Sequence, residues 1–357
     1  MGFASVMLHR TRRFPRGYST VGGHVSLWVR GFSAYVSRIV ESDTGRAVRS
    51  LTRWPKGKFA FTVVDDTDNS TVHNVKPVYD LLRECGLRTT KTVWVYPPRD
   101  NFSGQCLQDG DYREFIYELR EDGFEIALHN VGSGAFTRDE ILRGVEEFRE
   151  LMGFYPTMQI NHASNPDNLY WGVERFTGLV SSLMKLMFGD RRVYQGNNPE
   201  SEYFWGDVAK KHVKFIRNHT FNGINTLRYD PRMPYRVRHK DKYSNYWFSS
   251  SDGHTIEEFN ALTDPKNVLK LEEQGGLCIV YTHFASGFVK DSGKVDPIFE
   301  RNIRFLASRD GWFAPAGEIL DYLLSREVVE FASRSYLARL DAVWLLQRLV
   351  KKLRYGR

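Results

Sequence analysis

The sequence predicts an α/β fold organised around a parallel sheet or barrel, and three observations carry that reading. Short β-rich runs alternate with helical stretches from residue 59 onward. The first run, Phe59-Ala60-Phe61-Thr62-Val63-Val64, is apolar on both faces. Acids and histidines fall just past the carboxyl ends of the runs. Repeated alternation selects parallel pairing, because each parallel connection needs a crossover of roughly a dozen residues, normally a helix. A strand that is apolar throughout is one buried on both sides, as parallel strands are.

Taken in order, the strand-like runs are 59–64, 90–96, 124–128, 157–161, 246–250, 277–282 and 312–314. Helices are expected near 72–85, 111–122, 138–152, 265–275, 296–308 and 316–325. Several of these open on a cap, as in Thr137-Arg138-Asp139-Glu140, where a side-chain oxygen can take a free amide of the first turn. Between the fourth and fifth runs about 80 residues intervene, far more than a crossover needs, so 165–245 reads as an inserted subdomain. It is rich in aromatics (Tyr170, Trp171, Phe176, Tyr194, Tyr203, Phe204, Trp205), which serve either as a small core beneath the insert or as a sugar-stacking rim. The expected organisation is a basic N-terminal extension over 1–58, a barrel unit over 59–325 and a basic amphipathic helix over 326–357.

Composition narrows the function. The chain has 357 residues, 41% hydrophobic and 26% charged, ordinary for a soluble globular protein. No run of 18 apolar residues is present, so no transmembrane helix is expected. The N-terminal stretch lacks a long apolar region, so a secretory signal is not expected either. Cys85, Cys106 and Cys278 have no C-x-x-C spacing and read as free thiols of a reducing, cytoplasmic compartment. The net charge of +7 is unevenly placed: Lys plus Arg against Asp plus Glu is 11 to 2 over 1–58, 8 to 3 over 326–357, and 31 to 38 between. An acidic body with basic ends speaks against a nucleic-acid enzyme, whose positive charge lines the working groove. It suits tails that meet an anionic membrane surface. In the C-terminal segment Leu337, Leu340 and Trp344 share a face opposite Arg348, Lys351 and Lys352, so this helix either packs on the barrel or lies at such a surface as a peripheral contact.

The chemistry-bearing stretches begin at Phe61-Thr62-Val63-Val64-Asp65-Asp66-Thr67-Asp68, where three carboxylates crowd the end of a buried strand. Like charges at that spacing raise one another's pKa unless a cation or donor offsets the repulsion. Asp68, with Asn69 and Ser70, fits a cap for the following helix. Asp65 and Asp66 ask for another partner. His129, His162 and His283 also stand just past strand ends, in "EIALHNVGSG", "QINHASNPDN" and "CIVYTHFASGF".

The order of "VVDDTD", "EIALHNVGSG", "WFSSSDG", "IVYTHF" and "GWFAPAGEILDYL" resembles the polysaccharide deacetylase (NodB-homology) family over about residues 59–325. That resemblance implies a distorted (β/α) barrel of about seven strands. It also implies a hydrolase that removes acetyl groups from N-acetylated sugars, or from sugar esters, with a divalent metal, and a carbohydrate or glycoconjugate as the substrate. Carried over, it makes Asp65 the general base, Asp66 and His129 metal ligands, Asp252 the acid after the Trp-containing strand, and His283 the general acid. Two positions depart from the pattern. Ser133 stands where the second metal histidine belongs, and Ile160-Asn161-His162 replaces an arginine motif. His162 is then the candidate third ligand, with a substrate contact as its other reading. Zinc suits such a set, since it accepts carboxylate oxygen and imidazole nitrogen and keeps a position open for water. Two other readings are carried: a glycosidase using Asp65 and Asp252 as paired carboxylates, and a carbohydrate-binding protein with a decayed site.

Overall fold

In the computed structural model, residues 54–188, 194–326 and 328–355 are described. The basic extension expected over 1–58 lies, up to residue 53, outside them. Eight parallel strands alternate with helices in chain order. They are β1 (Phe59–Asp65), α1 (Val72–Glu84), β2 (Thr90–Val93), α2 (Gly110–Glu121), β3 (Glu125–Leu128), α3 (Arg138–Met152) and β4 (Met158–Gln159). A 3-10 turn (Gly172–Arg175), α4 (Gly178–Phe188) and α5 (Gly206–His212) lead to β5 (Phe215–Phe221), α6 (Thr226–Tyr229), β6 (Tyr246–Asp252), α7 (Ile256–Leu262) and α8 (Pro265–Glu273). The chain ends with β7 (Leu277–Thr282), α9 (Pro297–Ala307), β8 (Gly311–Phe313), α10 (Ala316–Arg326) and α11 (Arg334–Tyr355).

Strands β1 to β7 pair in sequence order, and β7 pairs with β1 to close a seven-stranded barrel. The distortion has a definite place. Near its carboxyl end β1 pairs with β2 (Asp65 opposite Lys91), while at its amino end β8 takes that side (Phe59 opposite Gly311). The eighth strand thus wedges the barrel open at the face away from Asp65. All seven residues of β1 are buried, as its apolar run requires.

The six helices expected from the sequence all form, but no strand is expected between 165 and 245, where the structure places β5. The reason is legible in Phe215-Ile216-Arg217-Asn218-His219-Thr220-Phe221. Every residue except Thr220 is buried, yet three of the buried side chains, Arg217, Asn218 and His219, are polar ones that a hydropathy reading discounts. Those polar groups turn out to serve the site and the C-terminal helix.

That helix packs on the barrel. Leu337, Leu340, Val343, Trp344 and Leu346 of α11 are buried. Asp341 accepts hydrogen bonds from the Thr177 amide (2.7 Å) and hydroxyl (2.8 Å) and lies 2.9 Å from His219 Nε2. Arg348 and Lys351, two of the basic residues on the predicted polar side, reach Asp252 at the end of β6. Among the described residues no helix is long and apolar enough to cross a membrane. Cys85, Cys106 and Cys278 are free thiols.

Candidate metal centre

The three carboxylates after β1 have three different environments. Asp65 is fully buried. Its Oδ2 accepts from Tyr79 Oη (2.9 Å) and lies 2.9 Å from Lys91 Nζ, and its Oδ1 accepts from the Phe284 amide (2.8 Å). Lys91 is itself buried and donates to Ser70 Oγ (3.1 Å). Asp66 receives the fork of Arg217 from β5, Nη1 to Oδ1 at 2.9 Å and Nη2 to Oδ2 at 2.5 Å. Burial works to raise the Asp66 pKa, but the Arg217 charge and hydrogen bonds, with His129 and His283 nearby, leave it below the ordinary value. The Arg217 guanidinium also lies over the Tyr281 ring, 4.4 Å from its centre.

Asp68 faces histidines rather than capping α1, whose cap is a Thr71/Asn74 box. Its Oδ1 lies 3.1 Å from His129 Nε2 and 3.4 Å from His162 Nε2, and its Oδ2 lies 3.3 Å from His283 Nε2. Asn69, in the left-handed conformation (φ 60°), turns the chain immediately after it.

The histidines are oriented from behind. His129 Nδ1 lies 2.9 Å from the Ile160 carbonyl oxygen. A carbonyl only accepts, so Nδ1 carries the proton and Nε2 of a neutral ring presents its lone pair to Asp68. His162 Nδ1 lies 3.0 Å from Asn165 Oδ1. Asn165 donates its Nδ2 to the Gly132 carbonyl (2.7 Å) and accepts from the Gly134 amide (2.9 Å), which fixes its oxygen toward His162. His162 Nδ1 is therefore also the donor, and its buried Nε2 has no hydrogen-bond partner among the described residues. Two imidazole lone pairs and a carboxylate oxygen converge, all within 4.8 Å of one another. Three acceptors aimed at one point repel unless a cation or added protons sit among them. The donor set fits a metal ion: Asp68, His129 and His162 form a buried group able to hold one, and the Ile160 carbonyl and Asn165 Oδ1 take the other ring nitrogens, as metal-binding histidines need.

Asn130 ties the two histidine loops together. Left-handed at φ 53°, it follows His129, accepts the His162 amide (2.8 Å) on Oδ1 and donates to Asp167 (2.6 Å). Ser133 points elsewhere, donating to Asp100 Oδ1 (2.7 Å).

Of the residues singled out in the sequence, His129 and His162 thus meet in the metal group, with His283 against its carboxylate. Asp66 is held by Arg217, and Asp68 occupies the carboxylate place. Asp65 is enclosed by Lys91, Tyr79 and a backbone amide. Asp252 sits at the end of β6, bonded to Arg348 (2.8 Å) and Lys351 (3.3 Å). As each is paired with basic side chains, Asp65 and Asp252 do not present the unencumbered carboxylates that glycosidic cleavage asks for. Sequence reasoning missed Lys91, Arg217 and His254. The last contacts Tyr281 Oη through Nδ1 (2.6 Å) and packs edge-on against His283 with ring centres 4.7 Å apart. The available signal was a charged residue inside an apolar run, Lys91 in "TTKTVWVY" and Arg217 in "FIRNHTF".

No protein-family model matches the chain, and no curated protein matches it. Among solved structures it is similar to a protein proposed to be a polysaccharide deacetylase involved in O-antigen biosynthesis from Bordetella bronchiseptica, with 13% identity and a TM-score of 0.34 over 81% of this chain and 92% of that one. It is also similar to an archaeal ribulose 1,5-bisphosphate carboxylase/oxygenase, with 13% identity and a TM-score of 0.32 over 80% of this chain and 65% of that one.

Proposed function

We propose that the chain is a metal-dependent hydrolase that removes an acyl group, acetyl first among them, from a carbohydrate. The observation that carries this is the orientation of His129 and His162. Each is committed by an oxygen on its Nδ1, the Ile160 carbonyl or Asn165 Oδ1, to present Nε2 toward Asp68. The order of motifs along the chain supports the same reading. Zinc is the ion whose preferences match two imidazoles and one carboxylate with a position left open. Bound there, it would supply Lewis acidity toward an acyl oxygen and toward water.

The protein's own groups divide the proton work. Asp66, kept ionised by Arg217, is the base that accepts a proton from the attacking water. The general base expected at Asp65 moves one residue: three donors, Lys91, Tyr79 and the Phe284 amide, enclose Asp65, whereas the Asp66 carboxylate has the single partner Arg217 among the described residues and lies close enough to His129 and His283 to feel their charge. His283 is the acid. Burial works to lower its pKa, but Asp68, then Asp66 and Asp65, raise it above the ordinary value, so it holds a proton to give to the departing amine or alcohol.

The test is metal analysis joined to an acetate-release assay on N-acetylated and O-acetylated sugars. Stoichiometric divalent metal, and acetate release abolished by a chelator and restored by zinc, are expected. Asp68→Ala should lose both metal and activity, whereas Asp66→Asn should keep metal and lose about 10²-fold or more in turnover. A protein that takes up no divalent metal would overturn the reading.

A further inference from the structure

Beside the Asp66–Arg217 pair lies a group of donors that the hydrolytic reading does not use. Arg175 closes the 3-10 turn and stands within electrostatic reach of Arg217 and Arg348. Those two arginines are matched by Asp66 and Asp252. Arg175 has no ion-pair partner among the described residues. Its hydrogen bonds go to Asn218, from Nε to the side-chain oxygen (3.3 Å) and from Nη2 to the backbone carbonyl. Its guanidinium lies 4.5 Å from the Trp171 ring centre and 5.2 Å from that of Trp344. Both indole N–H groups lack an acceptor among the described residues.

Behind it Lys240 is 1% exposed. Its Nζ donates to the Arg175 carbonyl (3.2 Å) and lies 4.5 Å from the Trp247 ring centre, again with no ion-pair partner among the described residues. The nearby acids have partners of their own: Asp341 is shared by His219 and Thr177, and Glu174 accepts from Asn197 Nδ2 (2.8 Å). The region therefore holds a buried lysine, a half-buried arginine and two indole donors, and neither cation has an ion-pair partner among the described residues. Isolated buried charge is costly, and burial with crowding by Arg348 pulls Arg175 down to about 9, as burial pulls Lys240 down to about 8. Arg175 and Trp171 both keep part of their surface open.

We propose that Arg175, Trp171 and Trp344, with Lys240 behind them, form a subsite for the oxyanion of an acidic carbohydrate, a carboxylate or a phosphate group. The assignment rests on the hydrolase reading for its carbohydrate, and on the excess of donors for its charge. Guanidinium recognises planar and tetrahedral oxyanions through paired hydrogen bonds, and an indole face takes the apolar face of a sugar ring.

Binding to the full chain is measured by calorimetry with inorganic phosphate, D-glucuronate and D-glucose as probes, in chloride buffer, before and after chelator treatment. Phosphate or glucuronate should bind more tightly than glucose with or without the chelator, and Arg175→Met should weaken that binding about tenfold or more. Preference for glucuronate identifies a carboxylate-bearing sugar; preference for phosphate identifies a phosphate-bearing one. Trp171→Ala, at a partly exposed position, is the second variant. It should weaken glucuronate binding with the circular dichroism spectrum and metal content unchanged. Anion binding no tighter than glucose in the wild type, or unaffected by both substitutions, overturns the subsite. That outcome with metal and acetate release intact leaves the hydrolase standing. Anion binding in a protein that never holds metal leaves the subsite standing and removes the hydrolase.

Discussion

Arg217 on β5 and Asp66 after β1 are joined by two hydrogen bonds, 2.9 and 2.5 Å, although 151 residues separate them. The pair crosses the barrel mouth, so it fixes the position of Asp66 and its ionisation together. Arg217→Met leaves a buried carboxylate without its counter-charge, and the Asp66 pKa then rises. An acid whose pKa is raised loses its basic form at a higher pH. The acid limb of the kcat/KM profile should therefore move to higher pH, with about 10²-fold or greater loss at neutral pH and metal content unchanged. A pH–rate profile beside metal analysis checks both parts.

Lys91 and Asp65 make a different pair, opposite each other in the β1–β2 register and both wholly buried. Their attraction offsets a large desolvation cost, so removing one partner strands the other. Lys91→Met should destabilise the fold by about 3 kcal/mol or more in urea unfolding. The double variant Lys91→Met with Asp65→Asn should recover most of that, because neither charge is then orphaned. Activity loss in the single variant without loss of stability would instead place Asp65 in the chemistry.

The barrel was legible because its signals are local. Apolar runs such as 59–64 and capped helices such as that after Thr137 depend on near neighbours in sequence, and the strand-end histidines follow from the alternation itself. What was hidden is long-range pairing. Asp68 reads as a cap until the histidines of two other loops arrive. Arg217 and Lys91 are polar interruptions of strands until their carboxylates are seen across the barrel. The strand β5 was lost to those interruptions, since Arg217, Asn218 and His219 are buried polar groups whose partners, Asp66, Tyr235 with Arg175, and Asp341, all lie far away in sequence. Likewise the basic face of α11 looks free in sequence, whereas Arg348 and Lys351 have a buried acid to meet.

Asp230 makes the docking of α11 depend on pH. It is buried, accepts from Ser249 Oγ (2.6 Å) and from Tyr336 Oη of α11, and burial raises its pKa to about 6. An acid raised in the folded state contributes most below its unfolded value of 3.8, and that contribution is lost as pH climbs through the folded value. Wild-type stability should therefore fall by up to about 3 kcal/mol between pH 4 and pH 7.5 from this group alone. Asp230→Asn should flatten that slope in denaturant unfolding followed at several pH values.

Asn165 supplies the test of the orientation from which the metal site is inferred. It touches no other member of the metal group, but its side chain takes three hydrogen bonds: from His162 Nδ1, from the Gly134 amide and to the Gly132 carbonyl. Without it His162 can turn, or exchange tautomer, and Nε2 is no longer held toward Asp68. Metal-binding histidines that lose such a partner typically lose about 10- to 100-fold in affinity. Asn165→Ala should therefore weaken zinc binding by that factor in a chelator competition, while His162→Ala abolishes stoichiometric binding. Asn165→Asp keeps the acceptor toward His162 but gives up the donor to Gly132, so it should retain most of the affinity. Unchanged zinc affinity in Asn165→Ala, with His162→Ala also unaffected, would show that His162 is not a ligand and that Asp68 and His129 hold the ion without it.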